Sequence, residues 1–172
     1  MKLALFLTLS DGCSTTNTKQ GVSAAFSAPL LGGIPVTHRG SSNQVVMCTG
    51  YGRNGTSPEL IQYHKEQTVV FLMAVGRLRQ LTDNLCNMAG YPRETPVGIV
   101  ERAGCPDQRT LVGDMNTIAE LAEQYDIQAP STIIVGNVVT VLMEDLLDAA
   151  VSDEKHGGLH GLVHALNVTE VV

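Results

Sequence analysis

Residues 68–73 read Thr-Val-Val-Phe-Leu-Met, and this stretch decides the fold prediction. It is short, apolar and rich in β-branched residues, which is the pattern of a strand buried on both faces of a parallel sheet. Residues 76–89 follow with leucines at helical spacing, and Gly90 and Pro92 come where such a helix should end. A buried strand followed by an amphipathic helix is the repeating unit of α/β folds.

The alternation of strand and helix continues on both sides of this unit. The extra strand at 109–112 makes the sheet mixed, so we predict an α/β fold with a mixed sheet flanked by helices. Further strands are predicted at 44–49, 95–100, 109–112 and 131–135, and further helices at 21–31, from 57 onwards, and after an Asn116 cap up to Tyr125.

Composition narrows the class of protein. A chain of 172 residues with 44% apolar residues suits one domain with a real core. The net charge of −6 and the lack of a basic run argue against nucleic acid or an anionic membrane as a partner. The four cysteines form no C-x-x-C pair, which argues against a zinc ribbon or a disulfide scaffold. We therefore expect reduced cysteines and a cytoplasmic location.

The amino-terminal segment leaves alternatives open. Lys2 and the apolar run 3–9 resemble a short signal peptide, but Asp11 follows at once and no disulfide pattern supports secretion. A buried strand or a frayed segment fits equally, and the run is too short to cross a bilayer.

The stretch Cys48-Thr49-Gly50-Tyr51-Gly52-Arg53-Asn54-Gly55 contains G-x-G-x-x-G and raises the question of a dinucleotide site. That fingerprint needs a long helix directly after it and an acid about 20 residues on. Pro58 interrupts the helix, and no carboxylate follows the strand at 68–73. A loop between two strands is the favoured interpretation.

Three histidines in the tail suggest a metal site. His156, His160 and His164 are spaced to share one helical face, but three glycines lie among them and each costs a helix about 1 kcal/mol. We therefore predict no metal site, and a tail at 143–172 that is only partly helical.

Five stretches stand in order along residues 21 to about 142. They are Gly21–Ala25 with Gly33–Gly40, Thr68–Met73, Thr95–Arg102, Cys105–Arg109 and Pro130–Val139. Together they resemble the tetrapyrrole (corrin/porphyrin) methylases, with that family's "PGVSSA…GIPLTHRG", "TPVAVVER", "xPxQR" and "PALIIVGEVV" signatures and its strand ending in methionine.

The resemblance is to the members that methylate uroporphyrinogen III in fungal siroheme synthesis. It implies a methyltransferase that uses S-adenosyl-L-methionine on a tetrapyrrole to give precorrin-2, and a possible homodimer. The residues it assigns to the cofactor are Ser23, Ala24, Met73 and Ala103. Taken alone, the first two read as ordinary helix packing and Met73 as core packing at a strand end.

The same resemblance assigns His38 and Arg39 to the substrate, because Arg binds carboxylates in bidentate fashion. A solvated loop is the alternative for this pair. The catalytic base that would remove a proton after methylation is unknown.

The resemblance matches only the carboxy-terminal domain of the family. Residues 1–20 match nothing in the other domain, whose glycine-rich loops "GPGDP" and "GGDPFVFGRG" do not occur in this sequence. Those loops form much of the family's cofactor pocket, so we expect impaired activity. The alternative is a catalytically inactive methylase domain that acts as a binding or interaction module.

Overall fold

A five-stranded sheet forms the centre of the computed structural model, which describes residues 21–50 and 59–142. The strand order is β1-β2-β5-β3-β4, and only β1 and β2 run parallel. The predicted mixed sheet is therefore confirmed, but the parallel surroundings expected for residues 68–73 exist on one side only. The strands are β1 Gln44–Thr49, β2 Gln67–Leu72, β3 Pro96–Glu101, β4 Arg109–Asp114 and β5 Ser131–Val135.

Among the described residues, three helices pack on the sheet, and residues 138–142 are also helical. They are α1 Ala24–Leu31, α2 Leu78–Met88 and α3 Ile118–Gln124, with a 3₁₀ turn at Val75–Arg77 before α2. The helix expected from residue 57 is wrong, because residues 59–64 have no helical structure.

The cap predicted at Asn116 is also wrong. The Asp114 carboxylate accepts the N–H groups of Asn116 and Thr117, each at 2.9 Å, and Thr117 occupies the N-cap position of α3. The carboxylate thus satisfies backbone donors ahead of the first turn, as cap side chains do.

Alternating side chains divide the core between the two faces of the sheet. Val69, Ile99 and Ile133 face α2 and α3 in the larger cluster. Ile134 and Val100 face α1 and the helical residues after 137 in the smaller one. Helices therefore cover both faces, and β2, β5 and β3 are buried between them, which explains their continuous apolar pattern.

Several predictions concern residues outside those described. They are the segment 1–20, the loop after Gly50 and the tail with His156, His160 and His164. Within residues 21–50 and 59–142, no helix is long and apolar enough to cross a membrane. The same residues contain no group of three His, Cys, Asp or Glu side chains arranged for a metal ion.

Candidate functional site

A groove of about 710 Å³ lies at the edge of the sheet where β2 and β3 end. Because β5 is antiparallel to both strands, its beginning meets their ends at the same edge. The groove is lined by Ala24, Ser27, Ala28, Leu72, Met73, Val75, Gly76, Val100, Arg102, Ala103, Cys105, Gln128, Ala129, Pro130, Ser131 and Thr132.

Small residues of α1 form one wall of this groove. The Ser23 hydroxyl accepts the Ala25 N–H at 3.3 Å and so caps α1 at its N-terminus. Ala24, Ser27 and Ala28 then line the groove. Short side chains here leave room for a ligand to approach the helix backbone closely.

Met73 stands at the corner where β2 ends. Its φ of 56° lies in the left-handed region, which a residue with a Cβ rarely adopts. Its side chain is 64% exposed, so core packing does not explain it. A strained, exposed apolar residue at a groove is a feature of ligand-binding corners.

The end of β1 packs directly against this corner. The Gly50 N–H donates to the Leu72 carbonyl at 2.7 Å. A Cβ at residue 50 would lie 2.5 Å from the Ala74 Cα and 2.7 Å from the Met73 carbonyl oxygen. The first glycine of the G-x-G-x-x-G stretch therefore serves a close backbone contact.

The turn between β3 and β4 forms the opposite wall. Arg102 has a φ of 49°, and its guanidinium pairs with Asp107 at 2.6 Å. The hydrogen bond from Arg102 lowers the pKa of the Asp107 carboxyl. Gln108 holds the turn to α1, because its side chain accepts from the Gly104 N–H at 2.8 Å and donates to the Leu31 carbonyl at 2.9 Å. Both walls of the groove are thereby connected.

A buried ion pair lies behind this turn. Glu101 is 3% exposed, and its carboxylate accepts from the Arg109 guanidinium and from the Gln128 N–H. Burial alone would raise the pKa of the Glu101 carboxyl, but the hydrogen bonds from Arg109 and Gln128 outweigh it and hold the pKa below its usual value. Glu101 is therefore ionised at neutral pH.

Three of the four residues predicted for the cofactor meet in this groove, namely Ala24, Met73 and Ala103. Ser23 lies next to them as the cap of α1. Among the described residues that line the groove, none is Asp, Glu or His. The groove is suited to binding and orienting a ligand, and it presents no side chain of those types as a base.

His38 and Arg39 lie elsewhere. The His38 N–H donates to the Ser42 carbonyl at 3.1 Å, and Ser42 accepts from the Thr68 hydroxyl at 2.8 Å at the start of β2. This turn is at the opposite end of β2, and Thr68 lies roughly 17 Å from Met73 along the strand. The structure does not bring the predicted substrate residues to the groove, and their role stays a prediction.

Sequence reasoning did not assign the third segment of the groove, residues 128–132. It enters the site only through tertiary contacts, such as the Arg102 N–H donating to the Pro130 carbonyl at 2.9 Å. No local pattern could have indicated it. A second, more open groove of about 790 Å³ lies between α2 and α3, and none of the predicted site residues lines it.

Comparison with known proteins identifies the family. Residues 16–119 match the Tetrapyrrole (Corrin/Porphyrin) Methylases. The chain belongs to this family. It is 42% identical over 116 residues to the probable uroporphyrinogen-III C-methyltransferase of Schizosaccharomyces pombe, a match that takes in 67% of this chain and 23% of that protein.

Two further relatives carry informative names. The S-adenosyl-L-methionine-dependent uroporphyrinogen III methyltransferase of Methanosarcina barkeri is 36% identical over 124 residues, with 69% of this chain and 48% of that protein covered. The Thermus thermophilus uroporphyrin-III C-methyl transferase, solved with S-adenyl homocysteine, is 29% identical with a TM-score of 0.60. That match covers 70% of this chain and 50% of the solved one, so the chain spans half or less of these relatives.

Proposed function

We propose that this chain supplies one wall of the S-adenosylmethionine site of a uroporphyrinogen-III C-methyltransferase. The observation that carries the proposal is the meeting of Ala24, Met73 and Ala103 at one groove, although they are far apart in the sequence. The similarity to the S-adenosyl-L-methionine-dependent M. barkeri methyltransferase and to the T. thermophilus enzyme solved with S-adenyl homocysteine supports the same methyl donor and substrate.

The groove fits such a ligand in size and chemistry. Its volume of about 710 Å³ falls within the range of small-molecule sites, which is about 300–1,000 Å³. Alanines and Gly76 leave space for a nucleoside, and Met73 offers a polarisable contact.

The reaction needs positioning more than acid–base chemistry. S-adenosylmethionine supplies the methyl group, and an electron-rich pyrrole carbon of uroporphyrinogen III is the nucleophile, which gives precorrin-2 for siroheme after two transfers. The part of the protein is to hold donor and acceptor in a productive arrangement. A groove lined mainly by uncharged residues, with no Asp, Glu or His among them, suits that task.

The chain alone should be a poor enzyme. The relatives extend well beyond the matched region, and the glycine-rich loops of the family do not occur in this sequence. We therefore expect weak donor binding and slow turnover by this chain without a counterpart of the unmatched half. A cytoplasmic homodimer is part of the same proposal.

A second candidate function is that of an inactive interaction module. The observation that favours it is an exposed apolar stripe on α1 and just before it, formed by Val22, Phe26 and Leu30 at a spacing of four residues. Such a stripe suits contact with another protein surface.

Calorimetric titration with S-adenosylhomocysteine decides between the two. The proposed function predicts saturable binding by the full chain that is lost in Ala103→Leu, which fills the groove, and is kept in Met88→Leu on the far end of α2. A wild-type chain that binds none would support the interaction module. Methyl transfer to uroporphyrinogen III by this chain at rates typical of enzymes would contradict the expected impairment.

A further inference from the structure

Residues 125–130 form a segment without regular secondary structure, and its second half contributes to one wall of the groove. It connects α3 to β5, and Gln128, Ala129 and Pro130 line the groove with exposed surfaces. A segment of this kind keeps one position only if other parts of the molecule hold its backbone groups.

Three N–H groups of the segment donate to carbonyls of α3, and two side chains hold further backbone groups. Arg109 of β4 donates to the Tyr125 carbonyl at 2.8 Å and to the Asp126 carbonyl at 2.9 Å. Glu101, at the end of β3, accepts the Gln128 N–H at 2.6 Å and also accepts from Arg109. One guanidinium and one carboxylate therefore connect the β3–β4 hairpin to Tyr125, Asp126 and Gln128 of this segment.

The chemistry of this pair makes the connection stiff. Glu101 is 3% exposed, so its carboxylate is removed from competing water. Hydrogen bonds to charged groups are roughly twice as strong as neutral ones, and the planar guanidinium directs several donors at once. Arg109 is half-buried, with 40% of its side chain exposed.

Neither residue lines the groove, but Glu101 adjoins it through the chain. Arg102 and Ala103 follow Glu101 directly, and both are lining residues. The Arg102 N–H donates to the Pro130 carbonyl at 2.9 Å, which joins this turn to the same wall. A change at Glu101 or Arg109 would thus move ligand-facing groups without removing any of them.

We propose that Glu101 and Arg109 are positioning residues that set the width of the donor groove by holding residues 125–130 against the β3–β4 turn. This inference rests on the proposed function for the identity of the ligand. The mechanical role of Glu101 and Arg109 does not depend on the proposed function.

The test uses Arg109→Lys and Glu101→Gln in the full chain. Lysine at position 109 keeps the positive charge but lacks the planar guanidinium that reaches two carbonyls. Glutamine at position 101 keeps an oxygen that can accept the Gln128 N–H, but its uncharged amide then faces Arg109. The matched control is Glu123→Gln. It removes the negative charge from the exposed Arg79–Glu123 pair, which joins α2 to α3 away from the groove.

The first measurement is amide hydrogen exchange without ligand. Exchange at Gln128 and Arg102 should quicken by at least about tenfold in both variants, and Glu123→Gln should leave it unchanged. Unchanged exchange at these amides in Arg109→Lys would overturn the inference, since the wall would then hold its place without the guanidinium. If Glu101→Gln does not fold, the exchange rates of Arg109→Lys alone decide the test.

The second measurement is the affinity for S-adenosylhomocysteine under conditions where each variant is folded by circular dichroism. A displaced wall loses contacts with the ligand, so we expect at least about a tenfold loss of affinity in Arg109→Lys, equivalent to about 1.4 kcal/mol, and none in Glu123→Gln. Equal affinity despite faster exchange would refute the positioning role. A wild type that binds no ligand would overturn the proposed function, and the exchange result would still decide the role of the pair.

Discussion

Gly50 lies so close to Ala74 that a Cβ at residue 50 would come within 2.5 Å of the Ala74 Cα. This contact joins the end of β1 to the corner that carries Met73. The atoms in the way are two backbone atoms and the Ala74 Cβ, none of which can rotate aside as the end of a long side chain can. The position of the corner therefore depends on the absence of a side chain in β1's exit.

Gly50→Ala should push the end of β1 away from the corner at Met73 and Ala74. We expect a loss of about 1–3 kcal/mol in the free energy of unfolding, because inserting a methyl group into a packed contact forces backbone shifts. Urea denaturation measures it. Gly21→Ala is the matched control, since a Cβ there meets nothing within 4 Å. Equal stability of the two variants would show that the corner adjusts freely.

Met73→Ala tests whether the exposed methionine serves a ligand. The stability should change by no more than about 0.5 kcal/mol, because the side chain is 64% exposed and alanine retains the Cβ in the left-handed backbone. The affinity for S-adenosylhomocysteine should fall about tenfold, in line with the loss of about 1.5 kcal/mol of apolar contact.

Met88→Ala is the control for this change, since Met88 is 68% exposed at the end of α2 and does not line the groove. Calorimetric titration of both variants provides the comparison. A loss of affinity shared by Met88→Ala, or a clear loss of stability in Met73→Ala, would contradict a binding role for Met73.

The sequence could predict those features of the fold that interactions between neighbouring residues determine. The apolar run 68–73 predicted β2 almost to the residue, because a strand buried on both faces consists almost entirely of apolar residues. The antiparallel pairing of Phe71 with Ile133 could not be predicted, since it depends on the order of strands distant in sequence. The same holds for Met73, whose left-handed corner arises where β2 meets the exit of β1.

The candidate site likewise contains residues that could be predicted from the sequence and residues that could not. Ala24 and Ala103 were predicted through resemblance to a family and not from their own chemistry, which is that of ordinary packing residues. Gln128 and its neighbours escaped prediction because Glu101 and Arg109 hold them through contacts across the fold. Local patterns carry no information about such contacts.

Glu101 should make the free energy of unfolding depend on pH. Its pKa is lowered in the folded protein, so its carboxylate stabilises the fold above the unfolded pKa of about 4.3. This contribution is lost as the pH falls through the lower folded value. Glu101→Gln should be less stable than wild type at pH 7 by about 3 kcal/mol or less, since Arg109 is 40% exposed.

Urea denaturation from pH 7 to pH 3 measures the difference between wild type and Glu101→Gln. That difference should stay constant above about pH 5 and shrink below about pH 4.3, because the wild-type carboxyl then becomes protonated. Glu123→Gln at an exposed carboxylate serves as control. A difference that remains the same down to pH 3 would show that shape, and not charge, accounts for the role of Glu101.

Cys105 offers a chemical probe of the groove. Its thiol is exposed and lines the groove, whereas Cys48 and Cys86 are half-buried and burial raises the pKa of both thiols. The thiolate is the form that reacts, so iodoacetamide should modify Cys105 before the other two. Bound S-adenosylhomocysteine should shield it.

At a ligand concentration of about ten times Kd, the labelling rate of Cys105 should fall about tenfold, because only the unbound fraction reacts. Mass spectrometry of individual peptides distinguishes Cys105 from the other cysteines, and the rates at Cys48 and Cys86 serve as internal controls. Labelling of Cys105 that continues undiminished at saturation would place the ligand outside this groove. Slower labelling at all three thiols would instead indicate general stabilisation of the fold.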